Sequence, residues 1–417
     1  MSAHGSVSAH GPAVSEIGSA SEIGSASETG PKIELHVHLE GTVRPEMLLA
    51  MGRRNNEALP ARTVEGIAEL YRFRDFDHFI KVWVLTTHVM RTADDFREVV
   101  VDYARRAAEQ GAVYLEGIFS PWYRVHRGVP WEEIFTGYAD GACEARERFG
   151  VEVRLTPDID RVLPPEAAMD VVRWSSRFVD RGVVGIGLGG PEVGHPPEPY
   201  APVFAAAADA GLAAVPHAGE TAGAESVRGA LHALGARRIR HGVRALEDPD
   251  LVAELVERNI VLDVCPVSNL RTGVVRDLAD HPLPALVAAG LRCSLATDDP
   301  AMFGTDLERE SAIAAGLGVP LREVFAAGLA GALCDEGTRA RLAAAAEHTD
   351  WDRAQAAAAA GSAAAIAGSP VAAGSGGDRD SGGGGGGGGH RDSGGSTAAA
   401  VERIGAQQAP SMVSTEG

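Results

Sequence analysis

The stretch that decides the fold is Lys32–Gly41, which reads K-I-E-L-H-V-H-L-E-G. Ile33, Leu35, Val37 and Leu39 alternate with Glu34, His36 and His38. A period of two predicts a β-strand, and the run of large aliphatic residues predicts a buried one. Two imidazoles two residues apart point to the same side of that strand, at its C-terminal end. The first strand of a doubly wound sheet usually leads into a Gly-rich phosphate turn. Here H-V-H-L-E-G follows instead, with no G-x-G-x-x-G.

Seven further runs of strand character lie outward from this one: Ala112–Phe119, Val151–Pro157, Val183–Leu188, Leu212–His217, Arg238–Val243, Ile260–Cys265 and Leu291–Thr297. Stretches of helical composition separate most of them, for example Ala93–Gln110, Trp131–Phe149, Glu166–Asp180 and Asp248–Arg258. Strands alternating with crossover helices pair in parallel. Eight such units over roughly 260 residues predict an α/β fold of the (β/α)8 TIM-type barrel. About 70 residues separate the first strand from the second, with helical patterns near Pro45–Asn55, Val64–Tyr71 and Asp77–Met90. This helical insertion is expected to lie over the C-terminal mouth of the barrel as a lid.

The 417-residue chain is 45% hydrophobic and 23% charged, as a globular protein should be. Its two ends depart from that average. Residues 15–30 repeat S-E-I-G-S-A, and Gly382–Gly389 is an unbroken glycine run. Neither can bury enough surface to offset its ordering entropy, so tails over 1–30 and 368–417 are expected to be disordered. The formal charge of −19 resides mostly in the segment between them. An acidic core argues against nucleic acid and against an anionic membrane surface as partners. Cys143, Cys265, Cys293 and Cys334 form no C-x-x-C pair and are expected to be buried small hydrophobes. The start, M-S-A-H-G-S-V-S-A-H-G-P, lacks the basic and apolar regions of a secretory signal, which makes the cytoplasm the default location.

Metal- and proton-competent groups recur at the predicted strand ends. His36 and His38 close the first strand, and His217 and Glu220 lie in P-H-A-G-E after the fifth. His241 lies in R-I-R-H-G-V on the sixth, and Asp298 and Asp299 in T-D-D-P after the eighth. In a parallel barrel those ends converge on one mouth. Three imidazoles and a carboxylate form a nitrogen/oxygen set suited to zinc, with a further acid and imidazole left to move protons.

K-I-E-L-H-V-H-L-E-G-T-V-R-P-E, G-I-G-L-G-G-P-E, P-H-A-G-E, R-I-R-H-G, P-V-S-N and T-D-D-P, in this order, resemble the adenosine deaminase family of the amidohydrolase superfamily. The resemblance runs from about Pro31 to about Leu342. It implies a metal-dependent deaminase barrel over 31–367 with one Zn2+ per chain held by His36, His38, His217 and Asp298. It also implies that Glu220 shares a proton with purine N1, that His241 orients or deprotonates the attacking water, and that Asp299 meets N7. The backbone N–H of Gly190 would meet N3. The implied partner is a small-molecule purine nucleoside, deaminated at C6; oligomeric state is left open.

Two departures stand out. Many members carry Asp in an H-L-D-G turn, where it meets the ribose 5′-hydroxyl; here the residue is Glu40. Where A-G-D-E is common, this chain reads Gly189-Gly190-Pro191-Glu192. H-L-E-G, Y-R-F-R-D-F, Y-L-E-G-I-F-S-P and G-L-G-G-P-E resemble a bacterial branch that includes the 6-aminodeoxyfutalosine deaminases of menaquinone synthesis. Their substrate is an adenine nucleoside whose 5′ carbon bears a carboxyphenyl-ketone arm. Ribose-side residues are expected from the insertion and from Ser120–Arg127, with Arg72, Arg74 and Arg124 as candidate carboxylate partners.

The rival readings are an ordinary adenosine or 2′-deoxyadenosine deaminase, an adenine deaminase and a non-catalytic nucleoside-binding barrel. A binuclear amidohydrolase needs a bridging lysine near the fourth strand, and the only lysines are Lys32 and Lys81. Cytidine-type zinc deaminases need a C-x-x-C that this chain lacks.

Overall fold

The computed structural model describes residues 27–367. Nine short strands, all paired in parallel, form the barrel: β1 (Lys32–His38), β2 (Ala112–Phe119), β3 (Glu152–Asp160), β4 (Gly185–Gly189), β5 (Ala213–Ala214), β6 (His217–Ala218), β7 (Arg238–His241), β8 (Val261–Val264) and β9 (Arg292–Leu295). β5 and β6 are two parts of the fifth barrel strand. The break falls at Val215-Pro216, where proline has no N–H to offer a neighbour. The seam closes at Asp298. Its N–H donates to His36 O at 3.1 Å, and its carbonyl accepts from His38 N at 2.8 Å.

The third strand runs farther than its apolar pattern predicts, ending at Asp160 and not at Pro157. Acidic residues at 158 and 160 hide the strand in sequence, yet both are buried at the mouth. The barrel interior is held by charge as much as by aliphatic layers. Arg238 donates across it to Glu116 at 2.7 Å, to Asp263 at 2.5 Å and to Leu35 O at 3.1 Å. Arg240 donates to Asp158 and, at 2.7 Å, to Thr156 Oγ1. Both arginines are fully buried, so removing one partner would strand a charge at a cost of about 3–5 kcal/mol.

The insertion folds as three helices, α1 (Pro45–Arg54), α2 (Val64–Leu70) and α3 (Phe76–Thr87), followed by the crossover helix α4 (Ala93–Glu109). Asp75 and Thr92 cap α3 and α4 by accepting backbone N–H bonds. The buried face of α3 carries Phe79, Val82 and Trp83, of which Phe79 and Trp83 line the cavity at the mouth. At the opposite end, Lys32 Nζ gathers Thr29 Oγ1 at 2.7 Å and Gln110 O at 2.6 Å, which ties residues 27–30 to the barrel. The remainder of the two expected tails lies outside the described residues. Cys265 and Cys293 are buried as expected, and Cys334 is half-buried. Cys143 is not: it faces solvent on the outer side of the helix Trp131–Phe149. Among the described residues no helix is long and apolar enough to cross a membrane.

Candidate active site

The four residues expected to bind metal meet at the C-terminal mouth. His217 Nε2 lies 3.1 Å from both His38 Nε2 and His36 Nε2. Asp298 Oδ1 lies 3.2 Å from His36 Nε2 and 3.4 Å from His38 Nε2. A tetrahedron with zinc–nitrogen bonds of 2.0–2.1 Å has edges of ~3.3 Å. The cluster therefore has the dimensions of a tetrahedral cation cage. Its electrostatics agree. Burial holds His36 down to about 3, His38 down to about 4 and His217 well below the ordinary imidazole value, so each ring is neutral. The Nδ1 of His217 faces Leu188 O at 3.1 Å, which assigns its proton there and leaves the Nε2 lone pair for the cage. Ser268 Oγ donates to the far oxygen of Asp298 at 2.6 Å. The donor set fits a zinc ion.

His241 stands beside the cage, its Nε2 3.6 Å from Glu220 Oε2 and 3.7 Å from Asp298 Oδ2. A chain of partners sets its tautomer. Leu283 N–H donates to His281 Nδ1 at 3.1 Å, which leaves His281 Nε2–H to donate to Asn269 Oδ1 at 3.1 Å. Asn269 Nδ2 then donates to His241 Nδ1 at 3.3 Å. The proton of neutral His241 is thereby assigned to Nε2, facing the site. His241 and Asp298 both sit at positive φ, 64° and 65°, a left-handed backbone that non-glycine residues adopt at a cost.

Glu220 and Asp299 are buried carboxyls whose acid forms are favoured. Burial pushes Glu220 well up, and the charges of Asp298 and Glu192 push further. Burial likewise raises Asp299, aided by Asp298 and Glu40, while Trp83 Nε1 donates to its Oδ1 at 3.0 Å. Gly41, in H-L-E-G, lies so close to this carboxylate that any Cβ would overlap it. Gly190 adopts a φ of 86° and also lines the cavity. With His36 fully buried behind them in the cage, six of the seven metal and catalytic candidates and Gly190 thus line one cleft. Phe76, Phe79, Ile80 and Trp83 of α3 cover it, and it encloses about 710 Å³ including its opening.

Other expectations fall differently. Glu40 does not line the cavity: it is fully buried, accepting from Ser120 N at 2.8 Å with Arg124 at 3.7 Å. Arg124 is buried too, lying 4.8 Å over the Trp83 ring. Arg72 is exposed and paired with Glu69, and Arg74 is exposed, so none of the three arginines lines the cleft. Sequence reading missed Glu192. Its Oε2 accepts the N–H groups of Glu220, Thr221 and Ala222 at 3.0, 2.8 and 2.9 Å, and its Oε1 accepts Gly219 N at 2.5 Å. One carboxylate thus shapes the turn that carries Glu220. Sequence reading also missed Asn269, Asp158 and Asp160. P-V-S-N was visible as a motif, but its partners lie far away in the chain.

The description of the adenosine deaminase family matches residues 31–348. The chain is 54% identical over 333 residues to an aminodeoxyfutalosine deaminase of Acidothermus cellulolyticus, covering 78% of this chain and 94% of that one. It is 42% identical over 274 residues to an adenine deaminase of Streptomyces coelicolor, covering 66% and 80%. Among solved structures, an amidohydrolase from Burkholderia ambifaria with bound zinc superposes with a TM-score of 0.73 at 26% identity, covering 80% of this chain and 93% of that one.

Proposed function

The chain belongs to the adenosine deaminase family, and on that premise we propose that it deaminates 6-aminodeoxyfutalosine at C6, as a step of menaquinone synthesis in the cytoplasm. The reaction is hydrolysis of an amidine C–N bond: water adds its oxygen at C6, and the amino group leaves as ammonia. The observation that carries the substrate choice is Glu40. In the turn where a shorter acid grips a 5′-hydroxyl, this residue is withdrawn behind Ser120 and is not part of the cavity wall. A site lacking that acceptor has no reason to demand a 5′-hydroxyl and leaves room for a 5′ arm under α3. The 54% identity to an aminodeoxyfutalosine deaminase supports the same choice.

One Zn2+ per chain would be held by His36, His38, His217 and Asp298, where it would lower the pKa of a water molecule to about 7. Glu220, protonated, donates to N1 and makes C6 electrophilic. His241 presents Nε2–H and orients the attacking oxygen beside Asp298. Asp299, fixed by Trp83, shares its proton with N7, and Gly190 N–H meets N3. These groups are aimed at charge that develops only as the tetrahedral carbon forms, which is where they lower the barrier.

The test is a panel of aminodeoxyfutalosine, adenosine, 2′-deoxyadenosine and adenine with the purified zinc protein, following loss of adenine absorbance. The expected order puts aminodeoxyfutalosine first in kcat/KM. A clear preference for adenosine would leave a salvage deaminase, and a preference for adenine would remove the nucleoside reading.

A further inference from the structure

Resting on the nucleoside reading above, we propose that Asp158 is a specificity-determining residue whose free oxygen accepts a hydrogen bond from a ribose hydroxyl. The order of groups around the mouth places the sugar. Gly190 follows β4, Glu220 follows β6 and Asp299 follows β9, and these face N3, N1 and N7 in that reading. The arc that remains, over the ends of β1 to β3, is the one N9 and its substituent must face. Its polar cavity-lining groups outside the metal cage are Ser120, Tyr123, Asp158 and Asp160.

Two of these are already engaged with each other. Tyr123 donates its hydroxyl to Asp160 Oδ2, and Asp160 Oδ1 accepts Val162 N at 2.9 Å. Asp158 differs. Its Oδ1 is held by the fully buried Arg240, but its Oδ2 has no hydrogen-bond partner among the described residues. The side chain is 2% exposed and lines the cavity, so that oxygen is withheld from bulk water. A buried carboxylate oxygen without a donor is costly, and a donor supplied by the substrate relieves it. His217 Nδ1 lies 3.5 Å from Asp158 Oδ2, but that nitrogen already faces Leu188 O at 3.1 Å. A carboxylate reading a sugar hydroxyl is an established recognition chemistry. Here it would also disfavour the free base, which leaves the oxygen unpaired.

The experiment compares wild type with Asp158→Asn. Asn keeps an oxygen for Arg240 and turns the free side into a donor. Zinc content, and kcat/KM for the preferred nucleoside and for adenine, are measured on both. The expected result is stoichiometric zinc, a roughly 10–100-fold loss on the nucleoside and less than about threefold change on adenine. Equal losses on both substrates, or loss of zinc, would overturn the proposal and make Asp158 a support for His217. Should the variant fail to fold, wild type with adenosine, 2′-deoxyadenosine and 3′-deoxyadenosine decides the matter. One of the deoxy compounds must fall at least tenfold below adenosine, and equal rates on all three overturn the proposal. A wild type that prefers adenine to every nucleoside instead defeats the nucleoside reading, and that outcome is read from the wild-type values alone, apart from any effect of Asp158→Asn.

Discussion

Glu192→Gln should cripple turnover while sparing the metal. The carboxylate accepts four consecutive backbone N–H groups, from Gly219 to Ala222. A glutamine retaining its oxygen at the Oε2 position keeps three of them. Its amide nitrogen then faces Gly219 N–H across 2.5 Å, donor against donor, and the turn must retreat. Hydrogen bonds to a charged acceptor contribute ~1.5–3 kcal/mol each against ~0.5–1.5 for neutral ones. Losing one bond and weakening three should therefore cost the turn on the order of 5–7 kcal/mol. Glu220 rides on that turn, and a misplacement of about 1 Å is enough to lose ~10²-fold in rate.

The assay is kcat and KM from adenine absorbance, zinc per chain by metal analysis, and a urea unfolding curve. The expected variant carries stoichiometric zinc, loses 10–100-fold in kcat with a smaller change in KM, and unfolds at lower urea. A kcat within threefold of wild type would refute the reasoning, because it would mean the turn holds Glu220 in place unaided. Loss of zinc would refute it differently, by showing that the carboxylate supports the His217 strand and not the acid.

Glu220→Gln should bind zinc and fold normally yet lose about 10²–10⁴-fold in kcat, since the amide cannot deliver a proton; a variant within tenfold of wild type would remove Glu220 from that role. Gly41→Ala should fold but push the Asp299 carboxylate off Trp83, seen as a fall of about 10²-fold in kcat/KM and a changed tryptophan emission. Glu310 is fully buried, and burial pushes its carboxyl up to about 8 despite bonds from Thr305 and Val267. Between the unfolded value near 4.5 and about 8 the folded chain holds a proton that the unfolded chain has lost, so this group makes stability fall as pH rises. Glu310→Gln should remove that slope, at most about 1.4 kcal/mol per pH unit, in unfolding curves taken from pH 5 to 8; parallel curves for the two proteins would contradict it.

What could be read from sequence and what could not divide along a physical line. The strand runs were legible because a buried parallel strand is a short apolar run, and that run is local. The cage was legible because each candidate ligand sits at or beside a strand end, and a parallel barrel brings every strand end to one rim whatever lies between. β3 shows where this reading stops. Its last residues, Asp158-Ile159-Asp160, carry charge at positions where a strand was expected to be apolar, so the pattern ended at Pro157. The charge is tolerated there because Arg240 reaches across the barrel to Asp158 and Tyr123 reaches Asp160. No window along the chain contains both partners of either pair. Glu192 follows the same logic. It stood unchanged at the end of a motif altered at Gly189 and Pro191, and its meaning lies 27 to 30 residues away, in four N–H groups that any sequence possesses. Glu40 is the converse case. Its type was legible as an altered 5′ contact, but the longer side chain does not merely weaken that contact. It accepts from Ser120 N–H and sits by Arg124, outside the cavity wall that Asp158 and Asp160 line. Side chains that act through backbone N–H groups or across the barrel axis are therefore where sequence reading is blind.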